Sequence, residues 1–179
     1  IRDRSETVWR QADRYHVPRI AFINKMDRIG ADFKRAIETM RSRLGANPIP
    51  VQMPVGAEDA FRGVIELVTM KNFGWEGEGI DARLVEQELS EEMRMEAEEW
   101  RHALLEALAD VDDNLAEKYL AEEPISEQEM YSALRKGTLE GKFTPVVCGA
   151  ALRSRGIQLL MDSVCHYLPS PLDMPEFHG

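Results

Sequence analysis

The chain has 179 residues, 44% hydrophobic and 30% charged, the composition of a soluble globular domain or of a domain carrying an insertion. No apolar run approaches the roughly 20 residues of a membrane-spanning helix, and two cysteines, Cys148 and Cys165, are too few for a disulfide framework. The net charge of −10 hides two compartments: residues 76–129 carry 19 acidic against 4 basic side chains, a net of −15, and the remainder carries 13 against 18, a net of +5. The acidic middle excludes nucleic-acid phosphate as its ligand and, as a binding surface, suits a basic protein; the plain alternative is a solvated helical face. A reducing cytoplasm is expected from the cysteine count, and both thiols, flanked by apolar residues, are expected to be buried. Ile1-Arg2-Asp3-Arg4 carries neither a signal region nor an initiator Met, which predicts a piece of a longer protein.

In chain order, Ser5 to Tyr15 reads as a helix, with Ser5 as N-cap and Val8, Trp9, Ala12 and Tyr15 at helical spacing. Val17-Pro18 ends it, because the residue before a proline avoids the helical region. Ile20 to Ile23 is an unbroken apolar run, as expected of a parallel strand buried on both faces. It stops at Asn24-Lys25-Met26-Asp27. Ligands of open parallel sheets bind just beyond the carboxyl ends of the strands, which is where these polar residues fall.

Their chemistry suits guanine. Asp27 is acceptor-only, and guanine offers two adjacent donors, the ring N1–H and the exocyclic N2–H. Adenine offers neither, and a site built around a hydrogen-bonding group rejects analogues lacking it by about 10⁴-fold. Asn24 can serve the N7/O6 side of the base or pin the loop. The apolar stem of Lys25 can lie along a base face while its ammonium stays in water. An ordinary polar exit from a strand is the plain alternative.

Asp32 predicts the cap of a second helix bearing Phe33, Ile37, Met40 and Leu44, stopped by Gly45 ahead of Asn47-Pro48, with Arg41 and Arg43 on its solvated face. From Ile49 the period becomes two: Ile49, Val51, Met53 and Val55 alternate with Pro50, Gln52 and Pro54, an edge-strand pattern. After a turn holding Glu58-Asp59-Ala60-Phe61, residues 64–70 and 72–75 are further strand expectations, and Gly74, Gly77 and Gly79 mark a tip. The whole reads as a small antiparallel sheet added to the main one.

Leu89, Met93, Ala97, Trp100, Leu104 and Leu108 then form the stripe of a long helix whose opposite face carries Glu91, Glu92, Glu96, Glu98 and Glu99. A shorter helix is expected over 113–120, and Ser126-Glu127-Gln128-Glu129 is a capping box opening another. Thr144 to Cys148 is again a short buried strand, ending in Gly149-Ala150-Ala151-Leu152. Small residues there let backbone N–H groups approach a ring oxygen such as guanine O6. A last helix carries Ile157, Leu160, Met161, Val164, Tyr167 and Leu168, and Pro169 and Pro171 end it. The two strand exits are expected side by side at the carboxyl edge of one sheet.

Several runs carry a resemblance: residues 5–12, 17–28, 30–33 and 43–48, then Thr138-Leu139, Pro145-Val146, Gly156-Ile157-Gln158 and Tyr167-Leu168-Pro169-Ser170-Pro171. Together they resemble the bacterial elongation factor G family, and Asn24-Lys25-Met26-Asp27 resembles the guanine-specificity motif of the P-loop GTPases. The resemblance implies an α/β fold: a partial parallel sheet of the P-loop GTPase type with flanking helices, plus an inserted α+β subdomain. Residues 1–47 and 144–171 would form the C-terminal half of the guanine-nucleotide domain. Residues 48–143 would form the acidic insert, and 172–179 a linker to the next domain. Asn24, Lys25 and Asp27 would read the base. Ala150, Ala151 and Leu152 would match the Ser-Ala-Leu segment whose backbone closes on it, with Ala150 replacing the usual Ser.

The resemblance further implies a parent that hydrolyses GTP to GDP and phosphate to drive ribosomal translocation, with Mg²⁺ held outside this piece. Its partners would be the ribosome and the ribosomal stalk protein, the latter through the acidic insert. A related ribosomal GTPase (release factor three or a ribosomal protection protein) and a non-catalytic protein-interaction module are the competing readings. No Gly-x-x-x-x-Gly-Lys-Ser/Thr occurs, and no Asp-x-x-Gly is placed to hold a metal-linked switch. Phosphate cradling and charge neutralisation supply most catalysis in phosphoryl transfer, so the piece alone is expected to be inactive, with no catalytic or metal-binding residues. His16, His102, His166 and His178 read as surface or packing residues. An open sheet edge predicts self-association.

Overall fold

The computed structural model describes residues 3–77, 79 and 82–173. Its elements are α1 (Asp3–Arg14), β1 (Ala21–Ile23), α2 (Phe33–Leu44), β2 (Pro48–Pro50), β3 (Gln52–Val55), β4 (Gly63–Glu66), β5 (Lys71–Glu76), β6 (Arg83–Gln87), α3 (Glu91–Ala109), α4 (Asp113–Leu120), α5 (Glu127–Leu139), β7 (Thr144–Cys148) and α6 (Ile157–Tyr167). The strands form a parallel sheet of order β1-β7-β2 and an antiparallel sheet of order β3-β4-β5-β6. This is the mixed α/β architecture expected, with helices flanking a parallel sheet.

The local signals explain the element ends. The Asp32 carboxylate accepts from the Arg35 amide at 2.9 Å, and Gly45 closes α2 in the left-handed region. Ser90 and Asp112 cap α3 and α4, and Ser126 and Glu129 complete a reciprocal capping box on α5. Arg19 stacks its guanidinium over Trp9, bonds the Trp9 carbonyl and pairs with Asp13, fixing α1 to the loop that leads into β1.

Between β2 and β3 the alternating run changes sheets. Pro48 to Pro50 pair with β7 in the parallel sheet, and Gln52 to Val55 pair with β4 in the antiparallel one. Val51 stands at the change: its N–H donates to the Val146 carbonyl, and its own carbonyl accepts from the Leu67 amide. The buried Gln52 side chain continues the parallel ladder, its Oε1 accepting from the Cys148 amide at 3.1 Å. The prolines stay tolerable because β2 and β3 are both edge strands.

Five expectations are corrected. β1 is only half-buried, because among the described residues it pairs with β7 alone; β7, in the centre, is the strand buried throughout. Val8 and Tyr15 are exposed, since α1 packs through a narrower strip of Trp9 and Ala12. The buried stripe of α6 is Leu159, Ser163 and Tyr167, which leaves Met161 and Val164 facing out. Cys148 is buried but Cys165, on that outer side, is exposed. Gly74 lies within β5 opposite Val85, with a sixth strand beyond it that had no sequence expectation. His178 lies outside the described residues.

The core joins both sheets. One cluster runs from Ile49 and Val147 through Val51, Met53, Ile65 and Leu67 to Leu104, Leu108, Met130 and Leu134. A second gathers Met26, Phe33, Ile37, Phe61, Val64, Cys148 and Ala150 directly beneath the two strand exits.

Candidate functional site

Parallel pairing of β1 with β7 aligns Ile23 with Cys148, so both strands release their chains at one edge. Backbone bonds then cross between the loops. The Gly149 amide donates to the Ile23 carbonyl at 3.1 Å, and the Met26 amide donates to the Gly149 carbonyl at 3.0 Å. Gly149 must be glycine here, because a Cβ would stand 2.4 Å from the Arg155 carbonyl oxygen and against the Phe22 ring.

Asn24 resolves its two sequence options in favour of pinning: its Oδ1 accepts from the Lys25 amide at 2.8 Å and from the Ala151 amide at 2.9 Å. One side chain thus ties the first loop to the second. Lys25 is exposed and adopts φ +64°, a conformation few non-glycine residues hold and one that concentrates at functional loops. Met26 is 1% exposed, the anchor that plugs the loop into the cluster beneath. It went unread in the sequence, although one apolar residue inside a polar tetrapeptide is a signal of that role.

The Asp27 side chain is only 7% exposed, and its one partner among the described residues is the Arg153 guanidinium, Nε to Oδ2 at 3.1 Å. Most of the acceptor capacity of a well-shielded carboxylate is therefore uncommitted. Arg153, itself 57% exposed, follows the small-residue loop and was also missed; a base beside a loop expected to face an acid was the available clue.

On the second loop, Ala150 is buried and exchanges two backbone bonds with Arg155, its N–H donating at 2.9 Å and its carbonyl accepting at 3.1 Å. Its amide is committed to shaping the loop. The Ala151 amide serves Asn24, and the Leu152 side chain is 83% exposed. The structure thus brings Asn24, Asp27, Ala150 and Ala151 together, leaves Lys25 and Leu152 at the solvent rim, and supplies Arg153 as an extra cation.

Burial pushes the Cys148 thiol and the Tyr167 phenol up, and burial together with the Glu66 carboxylate does the same for Tyr131. Cys148 and Tyr167 are buried in the core, and the Tyr131 hydroxyl donates to Glu66 Oε1 at 3.1 Å. His102 meets Tyr119 and Glu106 on the α3–α4 surface, and His166 stacks on Tyr131 at 4.3 Å. Among the described residues, no three His, Cys, Asp or Glu side chains group as a metal site requires, and no helix is long and apolar enough to cross a membrane.

The chain matches the Elongation factor Tu GTP binding domain family over residues 1–170. It is 54% identical over its whole length to the elongation factor G of Thermotoga maritima and 52% identical to that of Thermotoga neapolitana, spanning 26% of each. A crystal structure from Thermus thermophilus superposes on 96% of the chain with a TM-score of 0.82 and 27% identity, the match covering 25% of that chain. The chain therefore spans about a quarter of the length of the relatives it matches.

Proposed function

The chain belongs to the Elongation factor Tu GTP-binding domain family, and from that premise we propose that it supplies the guanine-reading part of a translational GTPase of the elongation factor G type. Asp27 accepts from guanine N1–H and N2–H, Lys25 covers a face of the base, and Asn24 holds the Ala150-Ala151-Leu152 loop beside it, the Ala150 and Ala151 amides being spent on Arg155 and on Asn24 itself. The observation that carries this is the cross-bracing of the two loops by Asn24, with a shielded and largely uncommitted Asp27 carboxylate between them.

GTP or GDP is the nucleotide so read. Its phosphates, its Mg²⁺ and the hydrolytic groups are assigned to parts of the relatives that this chain does not span, so the chain alone is inactive. The acidic insert, drawn over about residues 48–143, is the surface proposed for a basic ribosomal partner, the stalk protein. The ribosome as site of action, the cytoplasm as compartment, translocation as the work performed, and self-association through the open edge of β1 belong to the same proposal.

Titration calorimetry of the full-length protein tests it. GDP should bind in clear preference to ADP, and Asp27→Ala should remove that preference. An unchanged preference in Asp27→Ala would sink the reading, as would phosphate release from GTP by the 179-residue chain alone.

A further inference from the structure

The turn between β3 and β4 reaches across to both strand exits. Its 3-10 segment, Glu58–Ala60, belongs to the insert's sheet rather than to the parallel one. Glu58 nevertheless makes two bonds to the first exit. Its amide donates to the Met26 carbonyl at 2.8 Å, and its Oε1 accepts from the Gly30 amide at 2.6 Å. These bonds fall on either side of Asp27, so the base-facing carboxylate sits on a segment clamped at both ends by one residue.

The same turn also holds the second exit. The Phe61 carbonyl accepts from Arg155 Nη1 at 2.9 Å, and Arg155 is the residue that pairs with Ala150 to shape that loop. Phe61 is buried in the cluster that contains Met26, Cys148 and Ala150. Two bonds to one loop, one bond to the other and a shared apolar floor make this turn the part that sets both against each other.

The backbone marks the turn as costly to build. Glu58 holds φ +55°, in the region where a side chain is disfavoured. Gly56, two residues earlier, adopts φ +77°, and a Cβ there would lie 2.1 Å from the Ala60 carbonyl oxygen. An exposed glutamate kept in a strained conformation, with its amide and its carboxylate both bonded to the distant Met26–Gly30 loop, marks a positioning role.

We propose that Glu58 is a positioning residue for guanine recognition, clamping the Met26–Gly30 segment so that Asp27 meets both donors of the base, and that the β3–β4 turn thereby ties the insert to nucleotide selectivity. This rests on the guanine reading above. Inosine diphosphate is the discriminating probe, because hypoxanthine keeps N1–H and O6 but lacks the N2 amino group. The ratio of GDP to IDP affinity therefore reports how well Asp27 is aimed. A general loss of structure or of phosphate contacts weakens both nucleotides alike.

The test measures both dissociation constants in the full-length protein by calorimetry. Glu58→Ala is expected to lower the GDP/IDP ratio by about tenfold, the scale of a lost hydrogen bond to a charged group. Glu58→Gly deletes the same carboxylate while relieving the positive φ, so it should lower the ratio without lowering the melting temperature. Glu58→Gln keeps an oxygen acceptor and should retain most of the ratio. An unchanged ratio in Glu58→Ala and Glu58→Gly, or an equal weakening of GDP and IDP, overturns the proposal. Asp27→Ala separates the two levels: if it leaves the ratio at its wild-type value, the guanine reading itself fails. If it collapses the ratio while the Glu58 variants do not, only the clamp fails.

Discussion

On the proposed guanine reading, recognition turns on Asp27, and its acceptor-only chemistry makes a sharp prediction. In Asp27→Asn one carboxylate oxygen becomes an amide donor. Xanthine differs from guanine by a carbonyl at C2 in place of the amino group, so the Asn amide can donate to that carbonyl while its own oxygen accepts from N1–H. Preference should move from guanosine to xanthosine diphosphate by about tenfold or more, the scale on which mismatched polar groups are rejected. Competition titration of the two diphosphates on the full-length variant measures this, and a retained guanosine preference would refute the assignment. The ion pair to Arg153 does not oppose the swap, because a pair with so exposed a partner contributes about 1 kcal/mol or less. The exit at Asn24–Asp27 was readable because an unbroken apolar run stops at a polar tetrapeptide within a few residues of sequence. Glu58 was not, because its role depends on which distant loop it meets; it stands 28 residues from the Gly30 amide that it accepts from.

Among the elements, the capping box of α5 offers a pH test. The Glu129 carboxyl is held down to about 2 from its ordinary 4.5, first by the hydrogen bond from Lys118, whose Nζ lies 2.5 Å away on α4, and then by the Ser126 amide and hydroxyl. A depressed carboxyl stabilises the fold fully above its unfolded value, and this contribution is lost as pH falls from about 4.5 towards about 2. Glu129→Gln keeps an acceptor but not the charge. Its melting temperature should lie below wild type at neutral pH and converge with it through that acid window. A gap that stays constant from neutral pH to the acid end would refute the linkage. The caps at Asp32 and Ser126 were legible because each is decided within four residues of sequence. The change of sheet at Val51 was not, since period two looks the same on both sides of it. The α6 stripe was drawn through Met161 and Val164 because side-chain polarity favours them, yet the neighbouring helix and sheet bury Ser163 instead.

Taken whole, the molecule shares one hydrophobic cluster between the parallel sheet, the antiparallel sheet and helices α3 to α5, although the charge pattern divides the chain into compartments of −15 and +5. Charge marks which surfaces face solvent, while the shared core governs whether the halves open separately. Leu104 is the place to ask. It lies almost wholly buried on α3, in a cluster with Ile49 and Val147 on one side and Ile65 and Leu67 on the other. Leu104→Ala removes buried methyl groups from that junction and should cost about 2–5 kcal/mol. If the cluster couples the sheets, native-state hydrogen exchange in the full-length protein should speed up together at the β7 amides, such as Val147, and at the β4 amides, such as Ile65. Contiguous cooperative units open with one free energy. Faster exchange confined to β4 and α3, with β7 unaffected, would instead mean that the insert opens by itself. In that case the turn carrying Glu58 would be the remaining mechanical link between the insert and the base-reading loops, through its bonds to Met26 and Gly30.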